Sequence, residues 1–387
     1  MFTPSPSPRS GIDRLIADNA LVSRLRRVRV GLLSNLACLT EAAEPSAHAL
    51  ARVLGTGKRG LVRLFGPEHG FQMVAAEGAS IADGIEAKLG LPVHSLYGPR
   101  HTPTPDTLEE LDTVIIDLQD VGVRCYTYAT TAALTLAALA SLDIEVILCD
   151  RPNPRGCVSA GPGLDPQLRS FVGYLDVPFR HGKTLGTMLT EFAAHQLPNS
   201  IHMSIVTAEA EDFAPPIPWS PPSPSLADWH AARLYPGLVF LEGCTVSEGR
   251  GSNAPFRCIA APGLDSDDLA KFVNNMTNSG VRAHGASYVP NSGRFKDETC
   301  TGVRLDVTDF GIVDGLDFGV RILGWLAENF SNFNWTKSNV AIVNAKDPLT
   351  FSQSSGYYID YLLGDDSLRT NVDRGETADV ILGGWQT

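Results

Sequence analysis

Short apolar runs alternate with helical segments along residues 28–149, and this alternation limits the fold more than any other feature of the sequence. Four runs have the length of buried strands: Val28–Leu33, Leu61–Phe65, Thr113–Leu118 and Glu145–Cys149. Helical patterns lie between them, at Ser46–Leu54 and Tyr128–Leu142. Because strands that alternate with helices pair in parallel, we predict an α/β fold whose parallel sheet has helices on both faces.

The remaining elements suggest two domains of unequal size. The further predicted elements are helices at Gly11–Leu25, Leu108–Leu111, Leu185–His195, Ser266–Thr277, Asp314–Glu328 and Tyr357–Leu363, and strands at Leu91–Val93, Met203–Thr207, Leu238–Leu241 and Gly302–Val307. The segment 215–225 is rich in proline and is predicted to be a rigid crossing. We predict a disordered tail over 1–10, a Rossmann-like domain over 11–225, and an α+β C-terminal domain over 226–387.

Composition and charge exclude several kinds of partner. Of the 387 residues, 43% are hydrophobic and 19% are charged, so the chain can bury a sizeable core. The net charge of −12 argues against nucleic acid or an anionic membrane surface as a partner. The seven cysteines show no C-x-x-C spacing, so we expect a reduced compartment. Since there is no apolar signal segment or membrane-length run, we predict a cytoplasmic protein.

Polar side chains gather where the predicted strands end. Glu68 and His69 follow Leu61–Phe65 across the turn Gly66–Pro67. The other strand-end residues are Asn35, Gln119, Asp120, Asp150, Arg151 and Asn153. The carboxyl ends of parallel strands meet at one edge, where open α/β sheets bind ligands, so we expect these residues to line one cleft. Capping of a helix or bracing of a loop is the alternative for an acid such as Asp150.

Acids on glycine-bearing loops favour glycoside hydrolysis. Glu68, Glu242 and Glu248 lie on such loops, where a bulky sugar can approach closely. The reaction usually needs two carboxyl groups, about 5–5.5 Å apart for retention and about 6.5–9.5 Å apart for inversion. The sequence leaves both outcomes open. His69 could orient the proton donor or replace it.

Arginine and tyrosine residues in the same loops suggest an anionic sugar. Arg151, Arg180 and Arg250 could each bind a carboxylate through two hydrogen bonds. Bracing of the loops through carbonyl groups or neighbouring acids is an equally open alternative. Tyr126 could stack on a sugar face or be an aromatic residue of the core.

The sequence lacks the common motifs for nucleotide cofactors, for a zinc ion and for a serine nucleophile. No G-x-G-x-x-G follows the first strand, and there is no Walker A motif, no H-E-x-x-H zinc motif and no G-x-S-x-G nucleophile. We therefore predict neither a cofactor nor a metal ion.

Four motifs in order resemble the NamZ-type exo-β-N-acetylmuramidases, a family formerly known as a domain of unknown function. The motifs are Leu64–Phe71, Asp117–Arg124 with Tyr126–Tyr128, Asp150–Pro154 and Glu242–Gly251. The resemblance implies hydrolysis of a terminal, non-reducing N-acetylmuramic acid of peptidoglycan fragments. It also implies that 11–225 is the catalytic domain and that the smaller C-terminal domain, 226–387, contributes to the cleft. It implies Glu68 as the first candidate for the catalytic acid and Glu248 as the second. Arg124, Arg180, His181, Glu242 and Arg250 complete the substrate-binding set that we expect.

The chain departs from the family pattern at two positions. Ser225 ends a Pro-Ser-Pro segment where the family tends to have Asn, and Thr187 follows Gly186 where the family tends to have Glu. Both changes leave substrate specificity open.

Two other hypotheses for the function are a non-catalytic protein that binds cell-wall sugars and a nucleotide-dependent Rossmann-like enzyme. The expected partner is a peptidoglycan-derived amino sugar or muropeptide from cell-wall recycling, and the sequence indicates no oligomeric state.

Overall fold

The computed structural model describes residues 10–75, 78–197, 201–208, 219–344 and 347–385. The chain forms two compact units that are not contiguous in sequence. The first contains the chain up to Gly122, Tyr126–Val158 and His181–Pro224, and the second contains Val123–Cys125, Ser159–Arg180 and the chain from Ser225 onward. The predicted tail lies outside the described residues except for Ser10, as do residues 215–218 of the proline-rich segment.

The first unit is built on one seven-stranded sheet. Its strands are β1 (Arg29–Leu33), β2 (Gly60–Gly66), β3 (Gly84–Glu86), β4 (Leu91–Ser95), β5 (Thr113–Ile116), β6 (Glu145–Cys149) and β7 (Met203–Val206). Their order is β3-β4-β2-β1-β5-β6-β7, and only β3 is antiparallel to its neighbour. The six parallel strands therefore have the Rossmann order, with its switch point between β1 and β5.

Among the described residues, this unit has six helices: α1 (Gly11–Ala17), α2 (Asn19–Leu25), α3 (Ser46–Leu54), α4 (Pro105–Leu108), α5 (Thr127–Leu139) and α6 (Leu185–Gln196). The prediction of one helix over Gly11–Leu25 was wrong, because Asp18 interrupts it and its carboxylate caps α2 by accepting hydrogen bonds from Ala20 and Leu21. Helix α5 is buried on nearly every side, as expected of a segment rich in alanine and leucine.

The second unit is α+β, as predicted. Its helices are α7 (Trp229–Leu238), α8 (Ser266–Asn275), α9 (Gly315–Asn329), α10 (Tyr358–Leu363), α11 (Ser367–Asp373) and α12 (Ala378–Gly384). Strands β8 (Cys258–Ala261), β9 (Val281–Tyr288) and β10 (Cys300–Val307) form an antiparallel sheet in the order β8-β10-β9. Strands β11 (Lys337–Asn344) and β12 (Asp347–Tyr357) form a separate antiparallel pair.

Two short predicted elements were wrong. Leu238–Leu241 is not a strand, because Leu238 ends α7 and a 3₁₀ helix, Val239–Gly243, follows it. A four-residue apolar run does not distinguish a strand from a buried helix end. The helix predicted at Leu108–Leu111 lies one turn earlier, at α4, where Pro105 suits the first turn of a helix.

Arg124 holds together three segments of the second unit. Its guanidinium group donates hydrogen bonds to the carbonyl oxygens of Val177, Leu363 and Pro162. The residue is 3% exposed, and this burial lowers its pKa to about 10. These contacts correspond to a bracing role, and the expected role of Arg124 in substrate binding stays a prediction.

We expect Arg124→Met to lower the free energy of unfolding by about 3 kcal/mol or more, because each buried carbonyl that loses its donor costs about 1–3 kcal/mol. Chemical denaturation measures this change. The control is Arg282→Met, which removes an exposed arginine from β9 and should be close to neutral. Equal stability of the two variants would contradict the bracing role.

Candidate active site

Glu68 lies on a tight turn at the carboxyl end of β2. The turn passes through Pro67 and places His69 at φ 68° and Gly70 at φ 76°, both left-handed. A histidine in this region is strained, and such strain concentrates at functional sites. The turn is anchored because the Leu36 amide donates a hydrogen bond to the carbonyl oxygen of Phe71.

Both oxygens of the Glu68 carboxyl group have partners inside the first unit. Oε1 accepts a hydrogen bond from the Gly78 amide at 3.0 Å. Oε2 lies 2.6 Å from Oγ1 of Thr127, the first residue of α5. The side chain is 8% exposed, so a small part of it stays accessible. The carboxyl group is therefore held in a defined orientation, as a proton donor requires.

His69 has a defined tautomer in this arrangement. Its Nδ1 lies 3.0 Å from the carbonyl oxygen of Ala75. Since a carbonyl oxygen only accepts hydrogen bonds, Nδ1 carries the hydrogen. In the neutral ring, Nε2 is then the nitrogen that can accept a proton.

Two tyrosines and Asn35 form a buried network beside Glu68. The hydroxyl groups of Tyr126 and Tyr128 both donate to the carbonyl oxygen of Pro222, at 2.7 and 2.6 Å. Asn35 donates from Nδ2 to the Tyr128 hydroxyl oxygen at 3.1 Å. Burial raises the pKa of Tyr128 well above its ordinary value, so its hydroxyl keeps its proton. Tyr126 is 5% exposed, which matches the core alternative that the sequence left open.

Arg151 forms a buried ion pair with Asp117. Its Nε and Nη2 donate to the two carboxylate oxygens at 2.6 and 2.9 Å. The other donors reach the Leu39 carbonyl oxygen and the Ser46 hydroxyl. Burial is the largest single influence and lowers the pKa of Arg151, but the charge and hydrogen bonds of Asp117 together with nearby Cys38 and Asp13 raise the pKa overall. The guanidinium group thus braces the edge of the sheet.

Asp120 has one satisfied and one unsatisfied carboxylate oxygen. Oδ1 accepts from His181 Nε2 at 3.0 Å and from the Gly122 amide at 2.5 Å. His181 Nδ1 accepts from the Lys183 amide, so Nε2 carries the hydrogen that it donates to Asp120. Oδ2 is buried and makes no hydrogen bond to any described residue. A buried acceptor without a donor is costly, and a ligand group could supply the donor.

Gln119 and Asn153 hold loop backbone. Gln119 Nε2 donates to the carbonyl oxygens of Asp120 and Pro152. Asn153 donates to the Lys183 carbonyl oxygen at 2.9 Å, and its own Oδ1 accepts from the Arg155 amide. Their expected contacts with substrate stay predictions.

Asp150 accepts hydrogen bonds from the start of α6. Its Oδ1 accepts from the amides of Arg151 and Gly186, and its Oδ2 accepts from the Thr184 hydroxyl at 2.6 Å. Burial raises the pKa of Asp150, while these hydrogen bonds oppose the rise. The contacts correspond to the capping alternative.

In the second unit, Arg250 lies between two glutamates. Its Nη1 donates to Oε1 of Glu242 at 2.7 Å and to Oε1 of Glu248 at 2.8 Å. The guanidinium group also lies over the ring of Phe256, 4.7 Å from its centroid. The structure therefore brings together three residues that the sequence predicted for the site.

Arg180 pairs with a different acid of the second unit. Its Nη1 donates to Oδ2 of Asp314 at 2.6 Å. Burial would raise the pKa of Asp314, but Arg180 and the backbone amides of Asp317 and Leu316 together lower it. The expectation that the Glu248 loop and Glu68 serve one cleft stays a prediction.

Three neighbours of Glu68 were missed by the sequence analysis. Thr127 had one signal, its place between two tyrosines at a predicted helix start, and Gly78 had none. Burial lowers the pKa of His101, and the nearby charge of Glu68 opposes this lowering.

No group of three or more His, Cys, Asp or Glu side chains among the described residues could hold a metal ion. Within those residues, no helix is long and apolar enough to span a membrane.

Gly186 is required by the closeness of Asp150. A Cβ atom at residue 186 would lie 2.6 Å from Asp150 Oδ2. We expect Gly186→Ala to lower the free energy of unfolding by about 1–3 kcal/mol, which is typical of overpacking. The control is Gly324→Ala in α9, where open space should make alanine stabilising by about 0.5–1 kcal/mol. A stable Gly186→Ala variant would contradict the close packing.

The raised pKa of Asp150 predicts a pH-dependent stability. The folded state binds this proton more tightly than the unfolded state, so the contribution of Asp150 to wild-type stability falls as pH rises from about 4 through the folded pKa. Asp150→Asn keeps the acceptor Oδ1 and can donate to Thr184. We expect the variant to gain stability relative to wild type across that pH range, measured by denaturation at a series of pH values. A constant difference would show that Asp150 does not titrate there.

Comparisons with known proteins cover nearly the whole chain. Residues 30–230 match the family description "Exo-beta-N-acetylmuramidase NamZ, N-terminal", and residues 233–387 match "Exo-beta-N-acetylmuramidase NamZ, C-terminal". The peptidoglycan β-N-acetylmuramidase NamZ of Bacillus subtilis is 30% identical, over 98% of this chain and 88% of its own length.

Two solved structures from Bacteroides fragilis, both described as DUF1343 family proteins, have the same fold. One is 24% identical, covers 99% of this chain and 95% of its own, and has a TM-score of 0.80. The other is 25% identical, covers 98% and 94%, and has a TM-score of 0.72.

These matches confirm the predicted family and the α/β fold class, and none supports a binding protein or a nucleotide-dependent enzyme. The chain therefore belongs to the NamZ exo-β-N-acetylmuramidase family and is a glycosidase with that activity.

Proposed function

We propose that this chain releases terminal, non-reducing N-acetylmuramic acid from peptidoglycan fragments, with Glu68 as the acid that protonates the glycosidic oxygen. The observation that carries this role is the setting of the Glu68 carboxyl group. It lies at the end of a parallel strand, nearly buried, with one oxygen facing an amide and the other facing a hydroxyl. General acid catalysis needs a donor whose geometry is fixed in this way.

Asp120 is proposed as a sugar-binding residue. Its buried Oδ2 makes no hydrogen bond within the described chain, and His181 holds the other oxygen. A hydroxyl or amide N–H of the sugar would supply the missing donor. An N-acetylated sugar carries both kinds of group.

The arginines are proposed to brace the loops rather than to bind the lactyl carboxylate. Arg151 and Arg180 each already face a carboxylate inside their own unit. Arg250 is shared by two glutamates, so the three groups together carry about one negative charge. Its guanidinium group therefore already pairs with two carboxylates of its own unit. A catalytic role for Glu248 stays a prediction.

A cytoplasmic role in cell-wall recycling is part of the proposal. All seven cysteines are free, and six of them are buried. Thiols that stay reduced are typical of the cytosol, where disulfides are rare. A muropeptide fragment returned from the wall would be the substrate in that compartment.

The test compares wild type with Glu68→Gln on a disaccharide that has N-acetylmuramic acid at its non-reducing end, with the product followed by mass spectrometry. We expect Glu68→Gln to lower kcat by about 10²- to 10⁴-fold, the usual contribution of a general acid. The control is Glu86→Gln, which changes another buried glutamate of the first unit and should keep activity if it folds.

Substrate controls use a chromogenic β-N-acetylmuramide and its β-N-acetylglucosaminide analogue. Cleavage of the lactylated sugar alone supports the proposed specificity. A wild-type kcat in Glu68→Gln would show that Glu68 is not the catalytic acid. Binding of the disaccharide by wild type without release of N-acetylmuramic acid would refute the proposed reaction.

A further inference from the structure

The two hydrogen bonds to Glu68 distinguish its carboxyl oxygens from each other. Gly78 presents an amide N–H to Oε1 at 3.0 Å. An amide N–H only donates, so Oε1 must accept whether Glu68 is charged or neutral. We assign the proton of neutral Glu68 to Oε2, the oxygen that faces the Thr127 hydroxyl at 2.6 Å, because the amide holds Oε1 as an acceptor.

We propose that Thr127 is the positioning residue of the catalytic acid, and this inference rests on the proposed role of Glu68. The Thr127 hydroxyl donates to Oε2 from one side, which leaves the other side of that oxygen for the proton that the substrate receives. Thr127 is 7% exposed and is the first residue of α5, so its backbone is held by a buried helix. The hydroxyl thus has little freedom to leave Oε2.

The reaction transfers the proton of Glu68 Oε2 to the glycosidic oxygen. The Oε2–H bond breaks and leaves its electron pair on Glu68, while the proton forms an O–H bond with the glycosidic oxygen. The bond between that oxygen and the anomeric carbon breaks, and the oxygen keeps its electron pair. Water then adds its oxygen to the anomeric carbon and releases one proton, which replaces the proton that Glu68 gave up.

Negative charge appears on Oε2 as the proton leaves, and a hydrogen bond to a charged oxygen is about twice as strong as one between neutral groups. An interaction that is stronger in the transition state than in the ground state raises kcat rather than substrate affinity. The start of α5 favours the same charge, because helix N-termini are partly positive.

The test variant is Thr127→Val, which keeps the shape of the side chain and removes the hydroxyl. We expect kcat on the disaccharide to fall about 10- to 100-fold, the range for loss of a hydrogen bond to a charged group, with KM within about twofold of wild type. The alkaline limb of the pH–rate profile should move to higher pH, because the carboxylate form loses a donor. Thr127→Ser should recover most of the activity.

The matched control is Thr135→Val on the same helix. Thr135 is fully buried, and its hydroxyl makes no hydrogen bond to the described residues. This variant should keep wild-type kcat and pH profile, although it removes the same kind of group from the same helix. If Thr127→Val does not fold, Thr127→Ala compared with Thr127→Ser measures the same hydroxyl.

The outcomes separate this inference from the proposed function. Wild-type kcat and pH profile in Thr127→Val, with an inactive Glu68→Gln, would overturn the role of Thr127 and leave Glu68 as the acid. A rise in KM with unchanged kcat would also overturn it, since that result indicates a binding role. An active Glu68→Gln would overturn both proposals.

Discussion

The buried ion pair between Asp117 and Arg151 is the interaction on which the edge of the parallel sheet depends. Asp117 follows β5 and Arg151 follows β6, so the pair joins neighbouring strands where their backbone ladder ends. Neither charge could be buried alone, because an unpaired ion in the interior costs several kcal/mol. The remaining donors of Arg151 hold Leu39 and Ser46, so the loop after β1 and the start of α3 are tied to the same pair.

Around this pair, most polar side chains at the edge of the sheet form hydrogen bonds with one another or with nearby backbone. Asp150 caps α6, and the two tyrosines converge on the Pro222 carbonyl oxygen. One carboxyl group differs from this pattern. Asp120 has a buried oxygen with no partner among the described residues, whereas Glu68 is held through both of its oxygens. These internal hydrogen bonds fix the orientation of the Glu68 carboxyl group, and they leave one oxygen of Asp120 without a partner among the described residues.

The sequence predicted the scaffold better than the contacts of the site. The apolar runs of β1, β2, β5 and β6 are bounded by turn residues, so their strands and the position of Glu68 after β2 could be derived from local pattern. The pair β11–β12 was missed: β12 is mostly exposed, and the apolar run in β11 is only four residues long, with Val340 its one buried residue. Arginine partners could not be derived either. The acids that pair with Arg151 and Arg180 lie 34 and 134 residues away in sequence, and only the folded chain brings them near.

The central claim, that Glu68 donates the proton to the leaving oxygen, is tested most directly by varying the leaving group. A series of aryl β-N-acetylmuramides, from dinitrophenyl to unsubstituted phenyl, gives the dependence of log(kcat/KM) on the pKa of the released phenol. An enzyme that protonates the leaving oxygen should show a shallow slope, and Glu68→Gln should show a steep one while it approaches wild-type rates on the dinitrophenyl substrate. Parallel slopes for the two proteins would contradict the account.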